Sequence, residues 1–210
     1  MNLFNTRENN DYVMIGDKPS GYNLIFSKEI KAFRFENVFF TANMRGTDIV
    51  ITGRDMDEYV PSIKRLPINS KYQYLEIGAG LGELVPHLVK SGYGIKRPII
   101  IDPVNYDLIL SMLLYASKKG FDDYRTGRIN TFIERAEIIL NPAKVILINT
   151  TLGDSLDKHP DLAGIGDVVI DHYGPNYYED TEPKKSGDNL IHIRSLEKRL
   201  CKEGGLMIRA

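Results

Sequence analysis

After Pro67 the chain alternates short apolar runs with longer amphipathic stretches, and this alternation constrains the fold more than any other feature. YQYLEIG, PIIID, AKVILINTT, IGDVVID and LMIR read as strands. Between them, GELVPHLVKSG, NYDLILSMLLYASKKG, GRINTFIERAEIIL and GDNLIHIRSLEKRLCKEGG read as helices, ended by Gly92, Gly120, Asn141–Pro142 and Gly204–Gly205. Strands joined through helices require right-handed crossovers, which produce a mainly parallel sheet covered on both faces. The expected fold class is α/β: a doubly wound, mainly parallel sheet with helices on both sides.

The region before Pro67 has a different rhythm. Residues 1–11 are polar and Asn-rich and read as frayed. KPSG is a turn, YNLIF a short apolar run, and ENVFFTANMRGTDIVITG a hairpin with strands near Asn37–Ala42 and Asp48–Thr52 around Arg45–Gly46. DMDEYVPSIKRL reads as a short helix capped by Asp55, with Pro61 set to shorten or kink it. The expected organisation is a hairpin-rich β segment with a short helix over residues 1–66, then an α/β domain over residues 67–210.

Composition narrows the function classes. Of 210 residues, 42% are hydrophobic, enough for a sizeable core. The formal charge of −1, without a long like-charge run, leaves no clear nucleic-acid footprint. No stretch has the roughly 18 apolar residues of a membrane span, and the N-terminus lacks a signal core. A single cysteine, Cys201, fits a reducing cytoplasm and reads as an ordinary small thiol. His87, His159 and His192 have no partner at ligand spacing, so no metal site is expected.

The stretch LEIGAGLGEL carries the chemistry. Gly78, Gly80 and Gly82 follow the first strand directly, where a tight turn brings backbone close to a ligand. A dinucleotide fingerprint would put its third glycine where Glu83 stands, and a carboxylate there counts against a pyrophosphate. Glu76 suits a cationic group at the strand end. Asp102, 24 residues after Gly78, closes the second strand and suits the two hydroxyls of a ribose. Asp154, in LGDSL, suits an exocyclic amine, with a helical cap as its structural alternative.

LEIGAGLGEL, IIIDPV, LGDSL, IGDVVIDHYG and EGGLMIR, in that order, resemble the motif set of class I S-adenosylmethionine-dependent methyltransferases, over roughly Tyr72–Arg209. The resemblance implies a Rossmann-like domain that binds S-adenosyl-L-methionine as cofactor. Glu76, Gly78, Ala79, Gly80 and Gly82 would form the methionine-side loop, Asp102 and Pro103 the ribose side, Asp154 the adenine side, and Asp171 would border the cofactor. Methyl transfer needs an acceptor held in line with the sulfonium, and a weak nucleophile also needs a base. Asp171, His172 and Tyr173, in DHYGPNYYED, are the catalytic candidates, and Tyr177 and Tyr178 are candidate pocket walls. The tetrapeptide of some amino-methyltransferases matches here only at Asp171, so the expected acceptor is a small molecule rather than a nucleobase or glutamine side chain.

Two other readings use the same features. Polyamine aminopropyltransferases share the fold, and DEYV (Asp57 to Val60) resembles a stretch before their first strand, although their acid cluster after the fourth strand is not matched. The other is a non-catalytic module of methyltransferase fold. The family's sheet carries a further strand pair after the fifth strand, and here LMIR is the last apolar run. Three explanations follow: an incomplete domain, slightly favoured; a homo-oligomer covering the open edge; or the 37–52 hairpin lying against the fifth strand.

Overall fold

The computed structural model describes residues 4–10, 12–27, 38–44, 47–66, 68–92, 94–171, 174 and 187–209, with side chains masked at 44, 47, 48 and 187–191. Among these residues are two five-stranded sheets. The chain forms two compact units, each built from two stretches of sequence: Met1–Arg54 with Tyr106–Glu137, and Asp55–Asn105 with Ile138–Ala210. A single boundary at residue 66 does not describe this division, because two of the crossover helices belong mainly to the first unit.

The first unit is an antiparallel meander in the order β1-β2-β3-β4-β5: β1 Asn5–Glu8, β2 Tyr12–Asp17, β3 Tyr22–Ser27, β4 Val38–Met44 and β5 Thr47–Ile51. The expected fraying of residues 5–8 is corrected. They pair with β2, from Asn5↔Gly16 to Glu8↔Val13, and all four side chains are exposed. An exposed edge strand has no apolar alternation to announce it. The β2–β3 turn closes at Gly21, whose left-handed φ of 73° suits glycine. Helix α3, Tyr106–Ser117, and most of α4, Asp123–Leu140, complete the unit. Helix α4 begins before the expected GRINTF stretch because the Asp122 carboxylate accepts the Arg125 N–H at 2.9 Å. Phe26 stacks on Phe121 at 4.5 Å, and Arg125 donates to the Ser27 carbonyl at 2.8 Å. Gly53 faces the Phe132 ring; a Cβ there would lie 2.1 Å from it.

The second unit holds the parallel sheet: β6 Tyr74–Ile77, β7 Ile99–Ile101, β8 Ile146–Ile148, β9 Gly166–Asp171 and β10 Cys201–Arg209, in the order β10-β9-β6-β7-β8. All four pairings are parallel. The first two sequential strands after β6 lie on one side of it and the last two on the other, so the order reverses at β6. One sheet face packs Leu75, Ile77, Ile99, Ile101 and Val169 against helices α5, Leu152–Lys158, and α6, Gly187–Leu200. The opposite face packs Tyr74, Val168, Ile170 and Ile208 against Tyr59, Ile63 of α1, Pro61–Lys64, and Leu84 and Leu88 of α2, Leu84–Lys90. The expected single helix over DMDEYVPSIKRL is two pieces, a 3-10 turn at Met56–Glu58 and α1, because Pro61 cannot donate within a helix and instead starts one.

Strand β10 starts earlier than LMIR. Cys201 pairs with Gly166 and Leu206 with Val168, so a bulge absorbs the extra residues between them. Among the described residues β4 and β5 belong to one sheet and β10 to the other, so the expected pairing of the 37–52 hairpin with the fifth strand is not formed there. Arg45–Gly46 lie outside the described residues.

Candidate functional site

Strand β6 ends at Ile77, and the backbone then bends through Gly78 and Gly80, with φ of 67° and 53°. Side chains rarely adopt those values, so both positions call for glycine. Gly82 is glycine for a different reason. A Cβ there would lie 2.2 Å from the Tyr59 hydroxyl, which also receives the Leu84 N–H across a long 3.4 Å. Glu83 follows, and its carboxylate accepts the Met56 N–H at 2.7 Å. The start of α2 is therefore occupied by the Met56–Tyr59 segment rather than left open to an anion. The sequence feature that counted against a pyrophosphate has a structural partner.

Asp102, immediately after β7, is buried and accepts from the Gly80 N–H at 3.0 Å and the Val104 N–H at 2.9 Å. The glycine bend and this acid are thus joined by a direct bond. Asn149, after β8, extends the network by donating to the carbonyls of Asp102 and Val104 at 3.0 and 2.6 Å. Nothing in the sequence singled out Asn149, because side-chain bonds to distant carbonyls have no local pattern.

A cleft of about 270 Å³ opens beside this bend, within the second unit. Its floor is Ile77 and Ile101, register partners on neighbouring strands. Gly78, Pro103, Thr151 and Gly153 form the rim, and His192, Ile193 and Leu196 of α6 one wall. Of the expected cofactor residues, only Gly78 and Pro103 line it. Glu76 is buried and alternates with Ile77, so it projects to the Tyr74 side of the sheet. Ala79 is buried within the bend. Asp154 sits in the first turn of α5, where its N–H donates to the Thr151 hydroxyl at 3.3 Å. Thr151 is the cap of this helix, and it and Gly153, rather than Asp154, reach the cleft.

Asp171 ends β9 fully buried, and its carboxylate accepts the Gly174 N–H at 2.8 Å. Gly174 packs so tightly that a Cβ would lie 2.7 Å from the Ile77 carbonyl. This is the loop-capping role that an aspartate at a strand end can also play. His172, Tyr173, Tyr177 and Tyr178 lie outside the described residues.

Among the described residues no group of three or more His, Cys, Asp or Glu could hold a metal ion, and no helix is long and apolar enough to cross a membrane. Burial pushes the Cys201 thiol up, away from a reactive thiolate. No protein-family model matches the chain, and a comparison with curated proteins finds no match.

Proposed function

We propose that the second unit binds S-adenosyl-L-methionine and that the protein is a methyltransferase of Rossmann-like fold acting on a small molecule. The observation that carries this reading is the 3.0 Å bond between the Gly80 N–H and the Asp102 carboxylate. It joins the side-chain-poor bend to an acid at the point where strand order reverses, which is where open α/β sheets take ligands. Each carboxylate oxygen has two lone-pair positions, so a carboxylate can accept from ribose hydroxyls as well as from backbone N–H groups.

The cleft supports the nucleoside end of such a ligand. Among the described residues its lining includes no carboxylate, ammonium or guanidinium group, and its floor is aliphatic, as a neutral heterocycle requires. At about 270 Å³ it is just below the usual range of roughly 300–1,000 Å³, a volume for part of a cofactor rather than a cofactor with its acceptor. The closed start of α2 disfavours a pyrophosphate and therefore a dinucleotide. When bound, the cofactor supplies an activated methyl group. Backbone around Gly78 and Gly80 would approach its methionine side, and Asp102 would hold its sugar.

One observation favours a second reading, an aminopropyltransferase-like enzyme: the DEYV segment, which resembles theirs, is fastened to the bend through Tyr59 and Met56. Calorimetric titration of the intact protein separates the possibilities. The leading reading expects saturable binding of S-adenosylmethionine and S-adenosylhomocysteine; preference for decarboxylated S-adenosylmethionine selects the second. Cofactor binding without turnover of any nucleophile selects a non-catalytic module. Absence of all binding removes the methyltransferase proposal.

A further inference from the structure

We infer that His192 is the residue that reads the ligand's base, an inference that rests on the nucleoside-binding role proposed above. Helix α6 presents His192, Ile193 and Leu196 to the cleft. Leu196 is buried and Ile193 half-buried, whereas His192 is exposed at the lip. Among the described lining side chains only Thr151 and His192 carry a polar group, and the Thr151 hydroxyl caps α5. His192 has no hydrogen-bond partner among the described residues. Among the described residues of the lining its imidazole is also the only aromatic ring.

These facts assign it a specific task. A flat, uncharged heterocycle entering over Ile77 and Ile101 would have aliphatic contacts beneath it and a ring available at the lip. An imidazole can stack on that face and offer a nitrogen to the heterocycle edge. Asp154, the residue the family resemblance put forward for the base, sits in the first turn of α5 and is not among the residues that line the cleft. His192 takes the role from α6.

The test titrates the full chain with S-adenosylhomocysteine and, separately, with adenosine, in the wild type, His192→Ala and His192→Phe. Loss of one stacked base predicts that His192→Ala weakens both ligands by the same factor, on the order of tenfold. His192→Phe keeps both within about threefold, because it preserves the ring. An unchanged melting temperature in His192→Ala accompanies this result, since alanine at an exposed helical position costs nothing. A wild type that binds with an unaltered His192→Ala overturns the assignment and leaves the proposed function standing. Weakening of S-adenosylhomocysteine but not adenosine also overturns it, by placing His192 away from the base. A wild type that binds neither ligand removes the proposed function, and this assignment with it.

Discussion

At the C-terminal end of the parallel sheet, Asp102 accepts N–H bonds from Gly80 at 3.0 Å and Val104 at 2.9 Å. At the N-terminal end, Asp167 accepts the Gln73 N–H at 2.9 Å and pairs with Lys202 at 3.2 Å. Both acids use backbone donors, yet their surroundings differ. Asp102 lies beside positive-φ glycines and Pro103 of the cleft, and its bonds shape a bend. Asp167 joins strand starts: Gln73 precedes β6, and Lys202 lies at the beginning of β10. Connections at one end of a parallel sheet diverge at the reversal and leave a crevice, whereas those at the other end only close the structure. The same side-chain chemistry therefore shapes a bend beside a cleft at one end and joins strand starts at the other.

The largest effect is expected at Asp102. Replacement by alanine removes the acceptor of the half-buried Gly80 N–H and the buried Val104 N–H, a loss of about 2–4 kcal/mol for the two together. Urea unfolding measures this loss. Titration of the folded variant should also show S-adenosylhomocysteine weakened by about 1–3 kcal/mol. A loss of stability without a loss of affinity would make Asp102 equivalent to Asp167 and dissolve the contrast between the ends.

Gly82→Ala comes next, with an expected loss of about 1–3 kcal/mol from overpacking against buried Tyr59. Its diagnostic is non-additivity. Tyr59→Phe removes the hydroxyl that an added methyl would meet at 2.2 Å and leaves the ring carbon at 3.5 Å. The double variant should therefore recover at least half of the stability lost in Gly82→Ala. Additive losses would mean that the glycine answers to something other than Tyr59.

The contrast between the ends was only partly legible in the sequence. Strands β6, β7 and β9 are buried on both faces and read as near-continuous apolar runs, so YLEI, III and GDVVID announced themselves. The bend was legible because Gly78 and Gly80 need left-handed backbone, and glycine is nearly the only residue that supplies it. Gly82 looked identical in the chain, but its reason is Tyr59, 23 positions away. Helical periodicity located α3 and most of α4, but it carries no label for the sheet a helix belongs with, so their place in the first unit was invisible. His192 was set aside in the sequence for a related reason. An exposed histidine on a helix has no pattern until the strand ends that it faces are in place.

Asp167→Asn tests the stabilising end, with an expected loss of about 1 kcal/mol and no change in S-adenosylhomocysteine affinity. The Gln73 N–H, followed by Lys202, holds the Asp167 carboxyl below its ordinary value of 3.8 against the opposing pull of burial. A carboxyl depressed in the folded state contributes stability above its ordinary value, and that contribution disappears as pH falls through the folded value. Wild-type stability should therefore fall more steeply than that of Asp167→Asn below about pH 4. Parallel acid limbs would show that Asp167 titrates alike folded and unfolded.

The smallest effect is expected at Lys202. Its side chain is 60% exposed while that of Asp167 is 19% exposed, so the ion pair between them is largely screened by water. Such pairs contribute about 0–1 kcal/mol, and Lys202→Ala should cost no more than about 0.5 kcal/mol, a difference that 1 M salt removes. The Gln73 N–H stays on Asp167 in this variant, so most of the depressed acid titration should remain. If Lys202→Ala instead matched Asp167→Asn in both stability and acid slope, the ion pair would carry the N-terminal end, and backbone donors would no longer be the feature the two ends share.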